Sequence, residues 1–390
     1  MVRTDRRWPH RTALAVGAAG LAAPVLAQVR VARARRPLTE NWRRIPVTPR
    51  GDTRLGISFR PRQAETLGLD VDASLKTLLA YPFDVIRLGA YWNQMEPAPG
   101  TFVPDELDRH LDAAEAAGKQ VIVCVGAVKT FGYPEYFVPD HRLDAPLPEG
   151  ELITPSRFHA LADAADEFVT AIVERYRDRR SVIAWQVEHD AVDPLGMEHS
   201  WRLATEFVAG EVDSVRAADP SRPVLLNGFL PTSLLVGAQQ WWRTRDQGDS
   251  LVVAKQLADI VGIDYYPRHA VFSVGSRTVY LDGSRTPWQQ RRRRALFDWA
   301  HREGRELIVS ESQAEPWETV TDPPNPRNGA MYSLLPERLI GNYNHAMSWQ
   351  SGTDTKLSAF LFWGAEYWLA RDRDGDPSYL DAFRRVLDES

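Results

Sequence analysis

Short apolar runs of strand character recur through this chain, and an amphipathic helical stretch separates each from the next. Eight such runs stand out: Leu55–Phe59, Val85–Ala90, Gln120–Gly126, Val182–Glu188, Pro223–Asn227, Asp259–Tyr265, Glu306–Glu311 and Leu357–Trp363. The intervening segments have helical spacing. Val71–Ala80 puts Leu75, Leu78 and Leu79 on one face, and Asp105–Gly118 opens on acids after Pro104 and stops at a glycine. Parallel strands need a long crossover, usually a helix, so this alternation specifies a parallel sheet. Eight units in about this length close into a (β/α)8 barrel. An open doubly wound sheet would carry a glycine-rich turn after its first strand, and GISFRPRQA (residues 56–64) has none. The expected class is α/β: a single (β/α)8 TIM barrel over residues 51–390, preceded by a basic linker at 28–50 and an N-terminal segment at 1–27.

The charge distribution supports that division. Residues 1–50 carry eleven Arg against Asp5 and Glu40, so a net charge of −5 for the whole chain leaves about −14 on residues 51–390. An acidic body of that kind repels nucleic acid and argues against it as a partner. Arg6, Arg7 and Arg11 precede the apolar run Thr12–Val29, and Val25-Leu26-Ala27 offers small residues for cleavage. Residues 1–27 are therefore expected to be an export signal or an uncleaved membrane anchor, and the protein to be exported: periplasmic, secreted or membrane-anchored. Cys124, the single cysteine, lies within VIVCVG, where a buried free thiol is expected.

In such a barrel the chemistry sits at the C-terminal ends of the strands. Polar and aromatic residues collect there: Arg60; Arg87, Trp92 and Glu96; Lys129 and Phe131; Glu188-His189-Asp190; Asn227; Asp264-Tyr265-Tyr266; Glu311, Gln313 and Trp317; Trp363 and Glu366. Acids and amides suit sugar hydroxyls, and Trp and Tyr suit the apolar face of a pyranose, so a carbohydrate is the expected partner. Two carboxyl groups at separate strand ends match what glycoside hydrolysis requires. Trp201, Trp241 and Trp299 read as packing residues. Consecutive positions on one strand cannot all face one ion, so neither a metal nor another cofactor is expected from Glu188-His189-Asp190.

These strand ends resemble the clan of (β/α)8 retaining glycoside hydrolases that includes cellulases, β-mannanases and β-galactosidases. The resemblance spans roughly residues 50–390. In that clan strand 4 ends in Asn-Glu-Pro, whose Glu is the acid/base, and strand 7 ends in a nucleophilic Glu. Some bacterial members read Trp-Gln-Val-Glu-Asn-Glu-Pro and Thr-Glu-Leu-Gln-Ala-Glu-Pro-Trp at these places. Here strand 7 reads Ser310-Glu311-Ser312-Gln313-Ala314-Glu315-Pro316-Trp317, so the resemblance implies Glu311 as nucleophile. It implies Arg87 and one of Tyr265 or Tyr266 as the groups that orient it. Trp363-Gly364-Ala365-Glu366-Tyr367-Trp368 is similar to the clan's strand-8 sugar platform.

Strand 4 departs from the pattern. Trp185-Gln186-Val187-Glu188 aligns, but His189-Asp190-Ala191 replaces Asn-Glu-Pro. The acid/base position then holds Asp190, one methylene shorter, which withdraws the carboxyl by roughly 1–1.5 Å and costs on the order of 10²-fold in rate. A retaining gap of about 5.5 Å would widen toward the 6.5–9.5 Å of inverting enzymes. Strand alternation puts Glu188 on the side of Asp190, one layer deeper, as an orienting group or, if the backbone shifts, as the acid. His189 stands where an Asn normally meets the sugar 2-OH. The expected function is a glycoside hydrolase of a poly- or oligosaccharide. The altered strand 4 keeps open a non-catalytic sugar-binding barrel, and export keeps open a transglycosylase of a cell-envelope polysaccharide pathway. Oligomeric state is not legible.

Overall fold

Every strand of the inner wall begins where an apolar run begins in the sequence. The computed structural model describes residues 28–132, 136–193, 200–244, 248–283, 285–316 and 329–390, so the signal or anchor at 1–27 lies outside the described residues. The wall consists of β1 (Arg54–Ser58), β2 (Val85–Gly89), β3 (Gln120–Cys124), β4 (Val182–Gln186), β5 (Val224–Phe229), β6 (Ile260–Tyr265), β7 (Glu306–Gln313) and β8 (Leu357–Trp363). They pair in parallel in the order β6-β7-β8-β1-β2-β3-β4-β5, and β5 closes on β6. The single eight-stranded barrel expected from the alternation is thus the observed one.

The strands are buried on both faces, which is why they read as continuous apolar runs. Val85, Ile122, Ala184, Leu225, Ile260, Ile308, Ala359 and Leu361 fill the bottom of the barrel. The opposite faces, including Ile57, Ile86, Leu88, Val121, Val123 and Val309, pack against the helices. A buried Val, Ile or Leu contributes about 1.5–3 kcal/mol. The helices form for local reasons too. Asp70 caps Val71–Leu79 by accepting from the Ala73 N–H at 2.7 Å, and Leu75, Leu78 and Leu79 turn inward.

Three departures matter for the site. Residues 28–50 are not a linker. Val29–Arg33 pairs antiparallel with Arg277–Asp282, Arg35–Pro37 pairs with Gly329–Met331, and Trp42 is in the core. The alternation in Val29-Arg30-Val31 and the Trp42 anchor outweigh the arginine content that suggested a linker. Two insertions at the mouth of the barrel are also new: the hairpin Arg268–Val274/Arg277–Asp282 after β6, and the helix Leu234–Thr244 after β5. Trp201 is buried and Trp299 packs against the core, as expected of packing residues, whereas Trp241 is 65% exposed. Cys124 is a buried free thiol. Among the described residues no helix is long and apolar enough to cross a membrane.

Candidate active site

Above the apolar floor of the barrel the side chains turn polar. Arg87 on β2, Gln186 on β4, Asn227 on β5 and Asp264 on β6 are all buried there. Gln186 Nε2 donates to Asn227 Oδ1 at 3.1 Å, and Asn227 Nδ2 donates to Asp264 Oδ2 at 2.6 Å. On β7 the register slips by one residue: Val309 pairs with Ile263, but Glu311 pairs with Asp264. The extra residue, Ser310, donates from Oγ to Asp264 Oδ1 at 2.7 Å. A bulge of this kind re-aims the residues that follow it, and here it lets both Ser310 and Glu311 meet groups of the polar layer. Gly262 makes room, since a Cβ there would lie 2.6 Å from Ser310 Oγ.

Glu311 is 1% exposed and held on three sides. Arg87 Nη2 and His189 Nε2 meet Oε1, the imidazole at 3.0 Å, and Tyr266 Oη donates to Oε2 at 2.6 Å. Burial alone would raise the carboxyl's pKa. The neighbouring His189 and Arg87 charges and their hydrogen bonds reverse that and hold it well below the usual carboxylate range. Hydrogen bonds to a charged group contribute about 1.5–3 kcal/mol each, enough in combination to offset the desolvation. Burial and the Glu311 charge push the Tyr266 phenol up, which keeps it a donor. Burial, then the Glu311 and Asp190 charges, push Asp264 well above its ordinary value.

Strand 4 reaches this site by an irregular path. β4 ends at Gln186, and Glu188 (φ 53°) and Asp190 (φ 44°) adopt left-handed backbone. For L-residues that conformation costs roughly 1–2 kcal/mol each. The alternation expected to align Glu188 with Asp190 therefore does not apply. Glu188 turns back under the loop after β3, accepting from the Val128 N–H at 2.9 Å and from the Lys129 N–H. There it shares a hydrogen bond with Glu211, which also accepts from the Ala127 N–H at 3.0 Å. Burial and the Glu188 charge push the Glu211 carboxyl far up. Lys129, itself buried, donates from Nζ to the carbonyls of Asp190 and Asp193 at 2.8 and 2.9 Å. Gly126 is required where the segments cross, because a Cβ there would lie 2.1 Å from Glu188 N.

His189 and Asp190 end up on different neighbours. The His189 ring lies parallel to Trp363, 6° between planes and 6.2 Å between centroids, with Nε2 toward Glu311. Asp190 Oδ1 accepts from the Phe229 N–H at 3.0 Å at the end of β5, and Asn227 Oδ1 lies 3.4 Å from Asp190 N. Burial and the Asp190 charge push Asp193, just beyond, up to about 7.

The other residues singled out in the sequence divide into two groups. Arg87, Tyr266, Asn227 and Trp363 gather around Glu311 and His189. Tyr265, Trp92, Gln313 and Glu366 do not, which corrects their expected place at the sugar. Tyr265 follows inward-facing Asp264, so strand alternation sends it outward; its hydroxyl lies 2.6 Å from His345 Nδ1 and its ring meets Trp349 edge-on. Trp92 is fully buried, stacked on Phe168, with its indole N–H on Glu96 at 2.7 Å. Gln313 tacks the hairpin to β7 through both backbone groups of Arg268. Glu366 is tied to Arg60, whose guanidinium also holds Glu315 and lies 4.2 Å from the Trp363 ring centroid. Trp317 lies outside the described residues. Glu211 was missed as a site residue, and Asp264 was collected among the strand ends without a role. Glu211 had a signal, since it interrupts the apolar stripe Phe207, Val208, Val212, Val215 of the helix Thr205–Ala218.

His189, Asp264 and Glu311 offer three ligand atoms within 4.8 Å of one another, from the segment after β4, from β6 and from β7 rather than from consecutive positions. Arg87 shares the Glu311 oxygen that faces His189, and its charge opposes a dication there.

Known proteins resemble this chain in one sequence segment and in fold. Residues 70–207 match the family model described as Beta-galactosidase (Glyco_hydro_42). The matched segment contains Arg87 and Glu188-His189-Asp190 and stops short of Glu311. Among solved structures, GH5_18 from Streptomyces cattleya in complex with GlcNAc superposes with a TM-score of 0.54 at 15% identity, covering 87% of this chain and 81% of that one. A GH10 endoxylanase retrieved from a sugarcane soil metagenome gives 0.53 at 15%, over 87% and 98% of the two chains. Xylanase 10B from Thermotoga maritima gives 0.52 at 12%, over 87% and 95%. Identities this low show a shared fold. No curated protein matches the chain. The resemblance to the (β/α)8 glycoside hydrolases expected from the strand ends is therefore met by a family match and by fold.

Proposed function

We propose that this chain is a glycoside hydrolase of a poly- or oligosaccharide, working with retention, with Glu311 as nucleophile and Asp190 as acid/base. The observation that carries the reading is the Glu311 carboxylate, kept ionised at the barrel mouth between Arg87, Tyr266 and His189. In the first step a Glu311 oxygen bonds to the anomeric carbon while the glycosidic C–O bond breaks, and Asp190 gives a proton to the leaving oxygen. In the second step Asp190 takes a proton from water, whose oxygen displaces Glu311. The stabilisation that lowers Glu311's pKa also makes it a better leaving group in this second step. Interception of the glycosyl ester by a sugar hydroxyl in place of water would give transfer, and product masses from a mixed oligosaccharide pool would reveal it. The basic, apolar N-terminal residues fit an exported or anchored enzyme acting on a substrate outside the cytoplasm.

A second reading, a sugar-binding barrel without turnover, is favoured by one contact: His189 Nε2 lies 3.0 Å from the oxygen a nucleophile would use. An oligosaccharide panel tested against wild type, Glu311→Gln and Asp190→Ala separates the two. The hydrolase reading expects turnover in wild type and a loss of on the order of 10²-fold or more in each variant. Binding without turnover, unchanged in Asp190→Ala, would decide for the second.

A further inference from the structure

The small sheet that flanks the barrel mouth has one face packed on the protein and one in solvent. Tyr280 and Thr278 on the strand Arg277–Asp282 point inward and are buried. On the outer face Val31, Val279 and Phe272 stand in one row across the three strands, with Val31 60% and Phe272 52% exposed. The next row is Arg33, Arg277 and Val274, the last 70% exposed. An apolar sheet face in water is unfavourable, and an area of this kind marks an interaction site.

Two features of the chain identify the occupant. The first is charge. The two outer rows carry Arg33 and Arg277 and no acid, whereas Arg268 is buried on Asp282. They stand out from a body whose sum is strongly negative. The second is continuity: the apolar run Thr12–Val29 leads directly into Val29–Arg33. At about 3.3 Å per residue, Val31 lies within about 13 Å of Ala27 along the chain. A bilayer that takes up the run therefore has this face at its surface. We propose that the outer face of this sheet is a membrane-docking surface for anionic phospholipid, with Val31, Phe272 and Val274 entering the interface and Arg33 and Arg277 meeting the headgroups. Apolar residues flanked by arginine are what an interfacial surface requires. Docking would fix the barrel mouth, which the hairpin borders, at a set height above the lipid.

The test labels the full chain. Cys124 is fully buried, so Val274→Cys places the one accessible thiol for an environment-sensitive nitrobenzoxadiazole dye, and His301→Cys, exposed at the C-terminal end of the helix Pro287–Glu303, serves as control. Vesicles of phosphatidylglycerol and phosphatidylethanolamine are compared with phosphatidylcholine alone. The expected result is a blue shift at Val274→Cys on the anionic vesicles only, quenched by brominated acyl chains and absent at His301→Cys. Partitioning should fall about fivefold for each of Arg33→Gln and Arg277→Gln at low salt. Co-sedimentation with the dye still in water would overturn the proposal, since the N-terminal run would then bind alone. A blue shift without lipid would overturn it as well. Dependence on protein concentration would then identify a second copy as the occupant, and independence would identify residues 1–27.

Discussion

Replacing Glu211 by Gln tests whether the end of strand 4 rests on a shared proton. Burial pushes both Glu188 and Glu211 up, and the Glu188 charge pushes Glu211 further, so one proton held between them is the expected state, whereas in the unfolded chain both titrate near 4.3. Glu211's folded pKa is raised, so its contribution to stability is fully present below the unfolded pKa and is lost as pH rises toward the folded one. One extra proton on the native state gives a slope of about −1.4 kcal/mol per pH unit across that window. Gln is nearly isosteric with the protonated acid. Its carbonyl can accept from the Ala127 N–H and its amide can donate to Glu188, so neither partner is orphaned. Urea denaturation at pH 5, 6, 7 and 8 should show stability falling less steeply in Glu211→Gln, with the variant gaining on wild type as pH rises. Parallel curves would refute the shared proton, because Asp193 and Asp264 titrate in both proteins and cancel in the difference.

Three substitutions around Glu311 should behave differently from one another. Tyr266→Phe removes the 2.6 Å hydrogen bond and should raise the Glu311 pKa by about one unit; carbon-detected carboxyl titration would register it. Because that pKa is depressed in the fold, the associated stability is present above the unfolded value and lost as pH falls through the folded one, so Tyr266→Phe should narrow the acid-stability difference. His189→Asn removes a charge from the same carboxylate and restores the clan's amide, so the acid limb of the pH–rate profile should move upward while the fold is retained. Asp190→Glu restores the missing methylene and should raise kcat by up to about 10²-fold if reach limits the acid. No gain, in a variant that still binds sugar, would mean that reach is not what limits the reaction.

How far the sequence could be read depended on whether the chain followed regular strand geometry. Glu311 was legible because an apolar run of β7 ends in an acid, and its partner Arg87 through the resemblance to the clan. Alternation from Asp264 would also have chosen Tyr266 over Tyr265. Strand 4 defeated the same logic, since β4 stops at Gln186 and two non-glycine residues then take positive φ. That turn is stabilised by Lys129 and Glu211, which lie about 60 and about 20 residues from Asp190 in the chain, so no local pattern announces it. Trp92, Gln313 and Glu366 were misplaced for a related reason: each has a partner, Glu96, Arg268 or Arg60, that only the closed barrel brings near. Arginine-rich residues 28–50 looked like a linker because composition hid the alternation of Val29 and Val31.

The claim on which the rest depends is that Glu311 forms a bond to the sugar. An activated 2-deoxy-2-fluoro glycoside slows both steps but the second more, so it accumulates the glycosyl ester of a retaining enzyme. Intact mass followed by tryptic mapping is the direct measurement. The account predicts a gain of one fluoroglycosyl unit on the peptide covering residues 306–327, located at Glu311 and absent in Glu311→Gln. Steady turnover of the natural substrate with no adduct, or an adduct on a peptide that lacks Glu311, would contradict it.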